Sequence, residues 1–166
     1  NNTPELGTPG AENPSCSAVF CMAKGEAQEL LKLYPEEVVI TEIYANPKGA
    51  DGKKEWFEIY VEPGVSKAHL NGVGIMKKVG EEPSWTFSTS QCIELEGGNH
   101  YVLCRSADPE VNGGLTDCIE YGSVTLVNSG GVIGLGKPGI IYDVVPSYGD
   151  ASDGNEHWHK QNIYQF

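Results

Sequence analysis

No stretch of about 18 apolar residues occurs in the chain, so no membrane-crossing helix is expected. No basic segment leading into an apolar run opens it either, and any secretion signal is expected to have been removed or to lie outside these 166 residues. Cations are scarce. Lys and Arg total 11 against 23 Asp and Glu, a net charge of −12 at pH 7. Such a surface repels phosphate, which argues against nucleic acid as a partner and against docking on anionic lipid. There is no Cys-x-x-Cys pair and no Cys-x-x-Cys-His haem signature. A Gly-x-Ser-x-Gly elbow, a Walker loop and a dinucleotide-binding glycine motif are missing as well, since Gly134-Leu135-Gly136 leads into Pro138 rather than a helix. No catalytic constellation emerges, and a protein that is not an enzyme is expected.

Turn formers and strand formers are abundant. Gly 21 and Pro 10 favour many short strands over long helices, and 39% hydrophobic residues suffice for one buried domain. Residues 1–15, with three prolines and three asparagines, read as an extended arm. In 16–37 the residues Ala27, Leu30, Leu31 and Tyr34 fall at helical spacing ahead of Pro35, which predicts one short helix over roughly 23–33. From Val38 the period becomes two. Val38–Tyr44 is a run of β formers, and Phe57, Ile59 and Val61 then alternate with Glu58, Tyr60 and Glu62. Further short runs at 68–78, 84–89, 100–105, 123–128, 132–136 and 139–146 are separated by glycine turns. Eight short strands predict an all-β antiparallel sandwich over 38–166.

Five cysteines, Cys16, Cys21, Cys92, Cys104 and Cys118, are scattered through an acidic, glycine-rich β sequence. That pattern reads as disulfides formed in an oxidising compartment, extracellular or at a cell surface. The favoured pairs are Cys16–Cys21, with Cys92–Cys118 or Cys104–Cys118; the odd count leaves one cysteine over. The carboxylates Glu42, Glu55, Glu58 and Glu62 read as a solvated sheet face with turn contacts; Glu58 and Glu62 would lie about 13 Å apart along one strand, a poor acid–base pair. His157 and His159 flank Trp158 in a metal-compatible His-x-His, and Asp150, Asp153 and Glu156 form an oxygen-rich loop too short for an EF-hand. The bland readings, an anchored surface pair and a solvated turn, are preferred: no cofactor is expected, with Ca²⁺ at this loop the weak exception.

The runs Val38–Pro47 (VVITEIYANP), Gly52–Glu62 (GKKEWFEIYVE), His69–Ile75 (HLNGVGI), Pro83–Phe87 (PSWTF), Gly97–Leu115, Val124–Leu135 and Ile140–Val145 stand in a fixed order. In that order they resemble the lamin tail domain, over about 38–159, with Val73 where the family usually has Trp. The resemblance implies an immunoglobulin-like β-sandwich of the kind found in secreted and surface proteins of bacteria. No coiled-coil heptads precede it. In such bacterial domains a Trp-x-x-Gln stretch is commonly followed by Gly-Thr-Pro-Gly-Ala-x-Asn. Here Trp158–Gln161 lies near the C-terminus, whereas Gly7-Thr8-Pro9-Gly10-Ala11-Glu12-Asn13 lies at the other end. The arm therefore either folds back on its own sandwich, belongs to a preceding domain, or completes the edge of another copy. The leading expectation is a structural module that associates with itself head to tail, as in a filament. Gly7, Thr8, Pro9, Gly10 and Asn13 would meet Tyr34, Trp158, Tyr164 and Phe166 of a second copy. The alternative is a ligand- or carbohydrate-binding accessory module of a larger secreted protein, with Trp56 or Trp85 as the aromatic platform for a sugar.

Overall fold

A computed structural model of the chain describes residues 19–49, 52–88, 90–128 and 130–149, and the backbone of 158–159. The expected arm over 1–15 lies outside these residues. The described chain is mostly β. In order it forms β1 (Phe20–Ala23), β2 (Glu26–Glu29), β3 (Val38–Tyr44), β4 (Trp56–Val61), β5 (Ala68–His69), β6 (Gly74–Met76), β7 (Trp85–Thr86), β8 (Glu94–Leu95) and β9 (His100–Cys104). A short helix α1 (Pro109–Asn112) follows, then β10 (Ile119–Glu120), β11 (Ile133–Lys137), β12 (Ile140–Val145) and β13 (Trp158–His159).

Two sheets dominate, ordered β10-β9-β4-β3-β13 and β12-β11-β6-β7, and two ribbons, β1-β2 and β5-β8, complete the set. In β4, Phe57, Ile59 and Val61 are fully buried while Trp56, Glu58 and Tyr60 are partly exposed, as strict alternation requires. In β3 the buried apolar positions are Val38, Ile40 and then Ile43, with the bulge residue Thr41 buried as well. A bulge between Ile40 and Glu42 adds one residue and shifts the phase, so two odd-spaced halves of one strand both face inward. Their inward side chains join Ile75 of β6 and Ile133 and Leu135 of β11 in one hydrophobic cluster fed by both large sheets. Among the described strands the pairing is antiparallel except for β10, which runs parallel to β9, and a single parallel bridge joins Met22 of β1 to Gln91.

The expected helix over 23–33 does not form: the β1-β2 hairpin and irregular chain take its place, and the part of the helical reading of 16–37 that precedes residue 19 lies outside the described residues. Lys24 and Gly25 both take positive φ, 51° and 86°, the geometry of a two-residue turn that matches strand twist. Long-range bonds outweigh the local helical spacing: Met22 N–H donates to the Ser90 carbonyl, Cys92 N–H donates to the Met22 carbonyl, and Cys21 is bonded to Cys92. Leu31 and Tyr34 of the supposed stripe are exposed, and Leu33 is the residue that enters the core. The helix instead forms at Pro109–Asn112. Asp108 caps it, accepting from Glu110 N–H at 2.9 Å; Pro109 opens it, and Gly113 closes it at φ 91°. The run 123–128 is not a strand either; it is irregular chain with Val124 and Leu126 buried.

Candidate functional site

The solvent side of the five-stranded sheet carries a row of rings and carboxylates. Because Phe57, Ile59 and Val61 face the core, the alternate β4 residues Trp56, Glu58 and Tyr60 face outward. Register places Tyr44 opposite Trp56, and Tyr60 opposite His100. The rings meet accordingly: Tyr44–Trp56 centroids lie 5.7 Å apart and Tyr60–His100 centroids 4.8 Å apart. Between them Glu58 Oε1 accepts from Thr41 Oγ1 at 2.6 Å and lies 2.8 Å from His100 Nδ1. Trp85 is used differently. It packs edge-on against Phe87 at 4.6 Å and lies against the core cluster. Of the two tryptophans considered for ligand stacking, Trp56 stands on the outer sheet face.

Glu55 is not part of that solvated face. It is 1% exposed, and its Oε2 accepts from Arg105 Nη1 and from Leu126 N–H, each at 3.1 Å. Its carbonyl accepts from Arg105 N–H at 3.1 Å and from the Tyr121 hydroxyl at 3.3 Å. One residue thus ties the entry to β4, the exit of β9 and the irregular 123–128 run together. Burial, and then the nearby Glu55 charge, push the Tyr121 phenol far above its ordinary pKa. This carboxylate is a structural knot.

The disulfides are Cys21–Cys92 and Cys104–Cys118. The expected Cys16–Cys21 pair gives way because Cys21 points inward from the hairpin to meet Cys92. Cys16 lies outside the described residues, and Cys118 takes the Cys104 partner of the two alternatives. The first bond spans 71 residues and fixes the hairpin to the chain before β8; the second spans 14 and closes the loop that holds α1. On chain entropy alone they restrict the unfolded state by about 4 and about 3 kcal/mol.

Beside the first disulfide stands His69, 2% exposed. Its Nδ1 accepts from Leu31 N–H at 2.9 Å, while its Nε2 is buried with no hydrogen-bond partner. Burial holds the imidazole below its ordinary pKa, opposed by Glu94 and assisted by Lys67, so the neutral ring is favoured. Ligand atoms of Cys21, His69 and Cys92 all lie within 4.8 Å of one another. This corrects the expectation of no cofactor, or of Ca²⁺ alone. The group that the described residues bring together is a nitrogen–sulfur set unsuited to calcium; its two sulfurs are bonded to each other as a disulfide, and as thiolates they would suit thiophilic metals.

Other expected site residues fall elsewhere. Gly7, Thr8, Pro9, Gly10, Asn13, Asp150, Asp153, Glu156, His157, Tyr164 and Phe166 lie outside the described residues. Trp158 and His159 form β13, whose backbone pairs with Ile43 and Glu42 at the edge of the five-stranded sheet. Tyr34 is 56% exposed, with its N–H donating to Glu37 Oε2 at 2.7 Å. No described helix is long and apolar enough to cross a membrane. No protein-family model, curated protein or solved structure matches the chain.

Proposed function

We propose that this chain is a non-enzymatic extracellular recognition module, an immunoglobulin-like β-sandwich of the lamin-tail type, which binds carbohydrate on the outer face of its five-stranded sheet. The observation that carries the reading is the ring row Tyr44–Trp56 and Tyr60–His100 with Glu58 set between its members. Sugar rings present apolar C–H faces that lie on aromatic planes, and hydroxyls that donate to carboxylates. Three adjacent strands, β3, β4 and β9, supply both at fixed positions without ordering a loop, which lowers the entropic cost of binding. The two disulfides support an oxidising, extracellular setting. The test is retention of the monomeric protein on insoluble polysaccharides. Wild type is retained, and Trp56→Ala with unchanged circular dichroism is not. Equal retention of both, or retention of neither on any polysaccharide, sinks this reading.

A second reading is self-association through residues 1–15. It is favoured by β13, a two-residue strand that ends the five-stranded sheet and has no further strand beside it among the described residues. An extended segment adds to such an edge through its main chain. Light scattering on a chain lacking residues 1–15 decides it: loss of oligomers supports the reading, and an unchanged size distribution removes it.

A further inference from the structure

The Cys21–Cys92 disulfide, His69 and their surroundings do more than staple a hairpin. Three observations converge. The His69 ring offers a nitrogen within 4.8 Å of both sulfurs of the Cys21–Cys92 disulfide, so reduction, which lets the sulfurs part to the edges of about 3.6–3.8 Å that zinc bond lengths imply for a tetrahedron, leaves all three ligand atoms within reach of one ion. Cys21 and His69 are buried, at 1% and 2% exposure. And His69 Nε2 is a buried polar atom with no partner, a state that costs free energy unless something occupies it.

We propose that the reduced form of this cluster is a zinc site, so that one position alternates between a disulfide and a Cys21/Cys92/His69-bound divalent ion. The chemistry balances with a dithiol as reductant. The dithiol is oxidised to its own disulfide, and the Cys21–Cys92 bond takes two electrons and two protons to give two thiols. Zinc then displaces both thiol protons to solvent as two Zn–S bonds and one Zn–N bond form. Charge favours a divalent ion: two thiolates and a neutral imidazole sum with Zn²⁺ to zero formal charge, the least costly state for a buried site. A monovalent ion would leave a net negative charge there.

The chain supplies three of zinc's usual four ligands, and Cys92, the partly exposed member, marks the side from which water or an external ligand fills the fourth position. Ligation through Nε2 puts the ring proton on Nδ1, which then no longer accepts from Leu31 N–H. Loading therefore loosens the link to the segment leading into Leu33 while it keeps β1 anchored at Cys21.

The test uses the full chain, reduced with a phosphine, desalted without oxygen and titrated with Co²⁺ as a spectroscopic stand-in for zinc. The expected result is one cobalt per chain with a thiolate-to-metal charge-transfer band that zinc abolishes. Mass spectrometry after alkylation then finds Cys21 and Cys92 protected by metal, with Cys16, Cys104 and Cys118 labelled. His69→Ala lowers the cobalt affinity by about 100-fold, at least the loss seen when a supporting group of a metal site is removed. The protection pattern is read on wild type, so it stands even if that variant folds poorly. The proposal is overturned if the reduced wild type gives no thiolate band, if protection falls on another pair of cysteines, or if His69→Ala binds as tightly with the same pair protected.

Discussion

Removing the Glu55 carboxylate is the perturbation whose size follows most directly from the structure. Glu55→Ala deletes the acceptor of the buried Leu126 N–H, at about 1–3 kcal/mol for an amide left unsatisfied. It also unpairs Arg105, whose side chain is 22% exposed and recovers part of its hydration. Together these predict a loss of about 2–4 kcal/mol, short of the full cost of an isolated buried charge. Glu55→Gln keeps an oxygen for Leu126 and loses the charge, so it costs less than Glu55→Ala. Arg105→Ala leaves a carboxylate at 1% exposure without its cation and is the more damaging side of the pair to lose. Urea denaturation of the three variants and the double variant reads these values from shifts in the midpoint. The double-mutant cycle is expected to show at least about 1 kcal/mol of coupling. A Glu55→Ala variant within about 0.5 kcal/mol of wild type, or strict additivity with Arg105→Ala, refutes the knot.

Two further outcomes follow. Burial pushes the Tyr148 phenol up to about 12 and raises Tyr121 and Tyr142 as well. Above the ordinary phenol value near 10, the unfolded chain therefore releases protons that the folded chain keeps, so stability falls as pH rises from about 10 to 12 and is intact below that window; urea midpoints across that range check it, and a flat profile contradicts it. Tyr148→Phe removes the hydroxyl that bonds both the N–H and the carbonyl of Val127, each at 2.9 Å, and is expected to cost about 1 kcal/mol with faster hydrogen exchange at Val127.

The β3 and β4 strands were legible because burial follows alternation there, and alternation is a local property of sequence. The bulge in β3 was not, since an extra residue leaves no compositional mark. The hairpin at 20–29 runs against its local pattern: four apolar residues fall at helical spacing, while the opposing local signal, Gly25 after Lys24, is a single residue. What decided the segment was contact with Ser90 and Cys92, about 70 residues away, and no local pattern encodes that. The helix α1 did carry a local signal, Asp108-Pro109 with Gly113 at its end. Glu55 looked like one more surface acid in a run of them; its burial depends on Arg105 and Leu126 arriving from distant segments. His69 had no neighbour in sequence to suggest a metal, because Cys21 and Cys92 reach it only through the fold. The outer face of the sheet was half legible: alternation put Trp56 and Tyr60 on one side, but their ring partners Tyr44 and His100 needed the register of three strands.

The most direct measurement of the binding role is an amide chemical-shift map of the isotope-labelled protein titrated with a soluble oligosaccharide of the polysaccharide that retains it. The account predicts perturbations centred on Tyr44, Trp56, Glu58, Tyr60 and His100, absent in Trp56→Ala. Shifts confined to the β1-β2 hairpin or to the Trp85 side of the molecule would contradict it.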